Sequence, residues 1–300
     1  MKKKSILNSP RLLQMKKKRR TVVKRKIIVF SAIFVVVLVG LCFVSRIEKI
    51  NINTVEVSGN KVIDTEFIKE IAEKKIQGTY LFVIPKTNFL LFPKNKIIKE
   101  LNDQYKRLTD IEITVSDMQV LEIDVKERIG LYTWCGESLP TEGVGLEDVK
   151  CYFMDREGYI FDQAPYFSGD VYFKFFGPLT LEKEKELSSI SDSPAGHYFI
   201  PDIFARVVLL EDTFRDMGLR PSALFVSNDT EMEFYLESSG TIATAPKIIF
   251  NQNADFIKIA ENLDAALSTP PFQTEFKEKY NSLSYIDLRF GNKVYYKFRY

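Results

Sequence analysis

The spacing of apolar residues changes character along this chain. Ile27–Val44 (IIVFSAIFVVVLVGLCFV) is an unbroken apolar run of 18 residues without a charge. About 20 such residues in a helix cross a bilayer, so the run predicts one membrane span. Beyond it the period drops to two: Ile52–Val57 (INTVEV) alternates as a half-buried strand does. Ser58-Gly59-Asn60 is turn chemistry. The period then lengthens. Asp64 caps a predicted helix over Thr65–Ile76, with Phe67, Ile68, Ile71 and Ala72 on its inner face, and Gly78 stops it. After the short apolar stretch Tyr80–Pro85, a second amphipathic helix is expected over Lys94–Tyr105, with Ile97, Ile98 and Leu101 inward. Two strands follow, Ile111–Val115 and Val120–Val125. The order β-α-α-β-β suits a small sheet covered on one side by two helices.

From Ile129 onward the pattern favours strands. Ile129–Trp134 opens the region, and Glu137–Glu147 is rich in turn residues. Tyr152–Asp155 and Tyr159–Phe161 flank Arg156-Glu157-Gly158 as a hairpin. Val171–Phe176 reads as a strand, and the polar stretch Leu179–Pro201 as a loop or short exposed helix. A helix is predicted from about Asp202 to Gly218, with Phe204, Val207, Val208, Leu210, Phe214 and Met217 mostly inward. Strands are expected at Ala223–Ser227, Met232–Leu236 and Thr241–Thr244, and helices at Asp255–Leu267 and Phe272–Tyr280. Leu283–Phe290 and Lys293–Arg299 close the chain as two strands around Gly291-Asn292. The fold class is therefore α+β. It comprises a basic tail (1–26), a membrane helix (27–45), a first domain (50–128) and a mixed, β-rich second domain (129–300) with helices on one face.

Charge fixes the orientation. Of the 42 basic residues, 12 precede Ile27, where no Asp or Glu occurs. Positive residues remain on the cytoplasmic side, so the tail lies inside and the chain from about Ser45 onward lies outside. The long basic start, the length of the run and the absence of an A-x-A pattern after it favour a retained anchor over a cleaved signal. Removing the tail from the overall charge of +2 leaves about −10 for the external part. That balance disfavours nucleic-acid binding, which needs a basic face.

The candidate chemistry is sparse. Cys42 lies within the run as a small apolar packer. Cys135 and Cys151 face an oxidising space, where they either pair as a disulfide or remain buried thiols. His197, the one histidine, lies in a Ser-Pro-Ala-Gly-His loop without ligand spacing around it. No G-x-S-x-G, H-E-x-x-H or Walker A motif occurs. Ser58-Gly59-Asn60-Lys61 satisfies S-x-x-K, a pattern that chance supplies and that no K-T-G accompanies. Asp155, Glu157 and Asp162 cluster at a turn but lack the D-x-D-x-D-G calcium loop. The expectation is a protein without cofactor, metal or catalytic residues.

Val55-Glu56-Val57-Ser58-Gly59-Asn60, Gly78-Thr79-Tyr80-Leu81-Phe82 and Leu121–Arg128 (LEIDVKER) occur in that order, followed by Trp134, Asp155-Arg156-Glu157-Gly158 and Tyr285–Tyr296 (YIDLRFGNKVYY). With the basic tail and single span, this ordered set resembles the FtsQ/DivIB family of bacterial cell-division proteins over nearly the whole chain. The loop Leu179–Pro201 and the cysteine pair depart from that family's pattern. The resemblance implies a POTRA-like first domain and a β-domain whose last strands add a partner's strand at a sheet edge. It implies a divisome scaffold at the septum that recruits FtsL/FtsB-type coiled-coil membrane proteins and influences septal peptidoglycan synthesis. The partner-binding residues it points to are Arg289, Phe290, Val294, Tyr295 and Tyr296. Other POTRA-bearing envelope assembly proteins, and a membrane-anchored envelope hydrolase, are the competing readings.

Overall fold

The apolar run folds within α1 (Pro10–Ser45), one helix of 36 residues. The helix begins well before Ile27. The basic residues from Arg11 onward continue it, because long-chain Lys and Arg are good helix formers. Its part Arg19–Ser45 is long and apolar enough to cross a membrane, and the rest of the protein buries none of its most apolar window. A core helix of a water-soluble protein would bury an apolar stripe. The computed structural model describes residues 10–81, 83–141, 146–167, 171–179, 193–227, 230–238 and 242–299. The start of the basic tail, Phe82, parts of the loops expected at 137–147 and 179–201, Thr241 and Tyr300 fall outside them.

Two compact units emerge: Met1–Leu101 with Asp110–Lys126, and Asn102–Thr109 with Glu127–Tyr300. The first contains β1 (Thr54–Ser58), α2 (Thr65–Ile76), the short strands β2 (Thr79–Tyr80) and β3 (Ile84–Pro85), and the start of α3 (Lys94–Gln104). Most of β4 (Leu108–Ser116) and β5 (Val120–Glu127) completes it. Its sheet has the order β1-β5-β4, with β1 parallel to β5. The local signals act as the sequence suggests. The Asp64 carboxylate accepts from Glu66 N at 3.0 Å at the start of α2, and Gly78 takes a φ of +85° after its end. Ile68, Ile71, Ala72 and Ile76 of α2, Ile97 and Leu101 of α3, and Val55, Leu121 and Ile123 of the sheet are all buried. Phe67 is the exception. The sequence pattern puts it on the inner face, but it is 54% exposed, and the buried stripe of α2 runs through Ile68, Ile71, Ala72 and Ile76. Ile98 is only half-buried.

The second unit is built on a nine-stranded sheet. Its strands are β6 (Tyr132–Trp134), β7 (Tyr152–Met154), β8 (Ile160–Gln163), β9 (Lys174–Phe176), β10 (Pro221–Val226), β11 (Glu231–Leu236), β12 (Lys247–Asn251), β13 (Leu283–Phe290) and β14 (Lys293–Phe298). Their order is β14-β13-β12-β11-β10-β9-β6-β7-β8. β9 is parallel to β10, and β12 to β13. A parallel pair needs a long crossover, and helices supply both. α4 (Phe204–Asp216) lies between β9 and β10; α5 (Phe256–Ser268) and α6 (Phe272–Lys279) lie between β12 and β13. All three pack on one face of the sheet, where Phe175, Leu224, Phe234, Phe250 and Ile286 form the main core with Phe204, Phe214, Ile259, Leu263 and Phe272. Aromatic rings run across it, from Phe214 to Phe234 at 5.3 Å and from Phe234 to Phe250 at 5.5 Å.

One strand departs from expectation. Ile242–Thr244 of the segment Thr241–Thr244 forms a 3-10 turn, and the strand lies just beyond it at Lys247–Asn251. Ile248 and Phe250 are buried on the helix side and Ile249 on the other, so this central strand reads as a continuous apolar run and not as an alternation.

Candidate functional site

A sheet has two edges, and in the second unit they differ. At β8, Ile160 donates its N–H to His197 O at 2.9 Å and accepts from Gly196 N at 2.7 Å, while Tyr159 bridges to Tyr198. The start of that edge strand is thereby covered. At the other end, β14 has β13 as its one strand neighbour among the described residues. The hairpin pairs Ile286 with Tyr296 and Asp287 with Tyr295, and closes through Gly291 at φ +65°. An open strand side offers backbone donors and acceptors that another strand can complete.

The residues expected at this edge divide by face. Val294, Tyr296 and Phe298 are half-buried against the helix-side core. Tyr296 packs on Phe272 of α6 with ring centroids 4.3 Å apart. Lys293, Tyr295 and Lys297 are exposed on the opposite face. Tyr295 is 49% exposed and Phe290 55%, and their rings meet edge to face at 5.2 Å. Asn262 of α5 donates to Gly291 O at 2.9 Å and holds the turn. Val294 and Tyr296 thus serve the core of the hairpin, whereas Phe290 and Tyr295 form an uncovered aromatic pair beside the open strand.

Arg289 is engaged within the sheet. Its guanidinium donates to Asp287 at 2.9 and 2.6 Å and reaches over β12 to Glu231 of β11 at 2.5 Å. Burial alone would raise the Asp287 pKa, but the Arg289 hydrogen bonds and charge outweigh it and hold the carboxyl below the usual value. A second polar group lies on the same helix-free face. Lys247 Nζ donates to Glu233 at 2.6 Å, and Tyr235 O–H donates to the same carboxylate. Burial, then that carboxylate, push the Tyr235 phenol well above its ordinary pKa. Sequence reasoning missed both clusters. Their members alternate along β11 and β13, but only the register brings Glu231, Glu233 and Lys247 toward one another.

The cysteines are joined: Cys135 and Cys151 form a disulfide with Cα atoms 4.1 Å apart. It belongs to a second, smaller core on the helix-free face, with Phe176, Ala223, Tyr235 and Ala245. The remaining candidates have structural partners. Asp155 accepts from Arg128 and from the backbone N–H groups of Glu157 and Tyr159, both at 3.0 Å, so it organises its turn. Asp162 pairs with Arg107 at 3.0 Å. Ser58 donates to Asp124 at 3.1 Å. His197 is half-buried, with Nδ1 3.1 Å from Pro194 O. Among the described residues no group of His, Cys, Asp and Glu could hold a metal. A groove of about 760 Å³ runs between α4 and α5, lined by Leu209, Met217, Phe256 and Ile257, with Asp255 and Glu261 among its polar residues.

No protein-family model matches the chain, and no curated protein is similar to it at a significant level.

Proposed function

We propose that this protein is a single-pass membrane scaffold of the bacterial division machinery, of the FtsQ/DivIB type. In this reading it acts by recognition and not by catalysis. The observation that carries it is the asymmetry of the nine-stranded sheet, with β8 covered at its start and β14 paired with β13 alone among the described residues. The edge carries Lys293, Lys297 and Arg299 on a body whose external charge is about −10. Edge lysines discourage indiscriminate pairing, so the strand suits a partner strand that brings acidic residues. The partner in this reading is an FtsL/FtsB-type coiled-coil protein of the same membrane. Phe290 and Tyr295 supply the aromatic anchor, because aromatic residues are enriched at protein interfaces and a few desolvated anchors carry most of the binding energy. Apart from the two-stranded β2–β3 ribbon between its helices, the first unit has the order β-α-α-β-β with a three-stranded sheet, which supports the POTRA-like reading. The tail with its 12 basic residues supports an inner N-terminus and an external body.

The test is co-purification of the full chain with the coiled-coil partner. Deleting 294–300 abolishes capture. The double substitution Phe290→Ala and Tyr295→Ala weakens binding by roughly 30-fold, the scale of a hot spot worth about 2 kcal/mol. Unaltered capture by both variants refutes the edge mechanism. Charge reversal at Arg289 is a poorer probe, because it also breaks the ion pairs to Asp287 and Glu231. A fluorescent fusion spread evenly around dividing cells, with no midcell band, refutes the division role and favours another envelope assembly protein.

A further inference from the structure

We propose that the connection between α2 and α3, residues 79–81 and 83–92, is a lipid contact that sits in the outer interface of the membrane beside the end of α1. This rests on α1 crossing the bilayer and not on the division role. The first observation is composition. From Lys74 to Lys99 the chain has six lysines and no Asp or Glu, on an external body that is otherwise acidic. Tyr80, Phe89 and Phe92 interleave with Leu81, Leu90 and Leu91 in the same stretch. Aromatic rings, leucines and long-stemmed lysines together are the residue set of a membrane interface. The apolar parts enter the acyl boundary while the ammonium groups reach back to the headgroups.

The second observation is position. Hydrogen bonds fasten the loop to the residues that immediately follow the span. Asn51 Nδ2 donates to the carbonyl of Ser45, the last residue of α1, at 3.0 Å. Thr87 Oγ1 donates to Asn51 Oδ1 at 2.9 Å, and Ile52 N donates to Thr87 O at 2.8 Å. Phe89 N donates to Ile50 O, and Arg46 Nε to Val83 O, at 3.2 and 3.3 Å. The apolar run ends at Val44 and α1 at Ser45, so these bonds hold the loop within a few residues of the end of the span. The occupant is therefore the bilayer, which is necessarily present there.

The third observation is exposure. Leu81 is 89% and Leu90 74% exposed, and Leu91, Val83 and Ile47 are exposed with them. Leu81 also takes a φ of +48°, a backbone conformation that leucine rarely adopts. A turn there would form more easily with Gly or Asn. The leucine has a conformational cost without packing inside the protein, which a contact outside it explains.

The experiment uses the full chain in phosphatidylcholine–phosphatidylglycerol vesicles. An environment-sensitive fluorophore is attached at Leu90→Cys in a Cys42→Ala background, with the Cys135–Cys151 disulfide left oxidised. Val62→Cys, similarly exposed but beyond the far end of β1, is the control. At position 90 the expected result is stronger quenching by a nitroxide in the upper acyl chain than by one on the headgroup, with shielding from aqueous iodide; position 62 shows neither. Adding Leu81→Ser and Leu91→Ser reduces the acyl-chain quenching at position 90 by about half or more, with circular dichroism unchanged. Quenching by the headgroup nitroxide alone, free access of iodide, or protection that appears only when a partner protein is added each overturns the proposal. The last result would make the loop a protein interface.

Discussion

Arg289 shows how one side chain decides between two roles. As a free cation at a hairpin turn it would be a partner anchor, but its fork is occupied by Asp287 and Glu231. It fastens β13 to β11 across β12, while Phe290 and Tyr295 remain uncovered. The Asp287 carboxyl therefore matters most as the partner of that cation. Its pKa is lowered in the folded protein, so its contribution to stability is complete above the unfolded value of about 3.9 and is lost as the pH falls through the folded value. Urea midpoints measured from pH 6 downward are expected to fall below about pH 4. In Asp287→Asn the midpoint is lower at neutral pH and the acid-side decline shallower. An unchanged acid limb would show that Asp287 does not couple folding to protonation.

At the scale of elements, the sheet carries two unequal coverings. Three helices bury its main core on one face, and the chain between β6 and β7 returns to the other face through Cys135–Cys151. That bridge spans 16 residues, and closing a loop of this length stabilises by about 3 kcal/mol in the chain-entropy account. Cys151→Ser is expected to lower the unfolding free energy by roughly that amount in guanidinium titration, while far-ultraviolet dichroism retains the strand signal. A titration that does not respond to reductant would contradict it. Some elements were legible in sequence because their signals are local. α2 has its Asp64 cap and glycine stop, and the β13–β14 hairpin has alternation on either side of Gly291-Asn292. β12 was misplaced by a few residues because Lys247–Asn251 is buried on both faces, and periodicity cannot mark a strand that lacks a polar side. The candidate edge residues were legible as a set but not in their roles. Whether Tyr295 or Tyr296 faces Phe272 depends on a helix about twenty residues upstream.

For the whole molecule, the governing fact is a helix whose most apolar window has nothing from the protein packed on it. A bilayer would remove that surface from water. The full chain is therefore expected to remain in the membrane fraction through an alkaline carbonate wash and to enter solution only with detergent. Release by carbonate alone would exclude a membrane-spanning α1. Composition and period by themselves determined a helix long and apolar enough to span a membrane, the sign of charge before and after it, the α+β class and most of the helices and strands. These properties depend on residues adjacent in sequence or one turn apart. The tertiary structure alone decided the strand order, the disulfide, the engagement of Arg289 and the openness of β14. A strand becomes an edge only when every other strand has taken its place, and an ion pair forms only when the register brings distant residues within reach. Those relations arise from contacts across long stretches of chain, which no local pattern encodes.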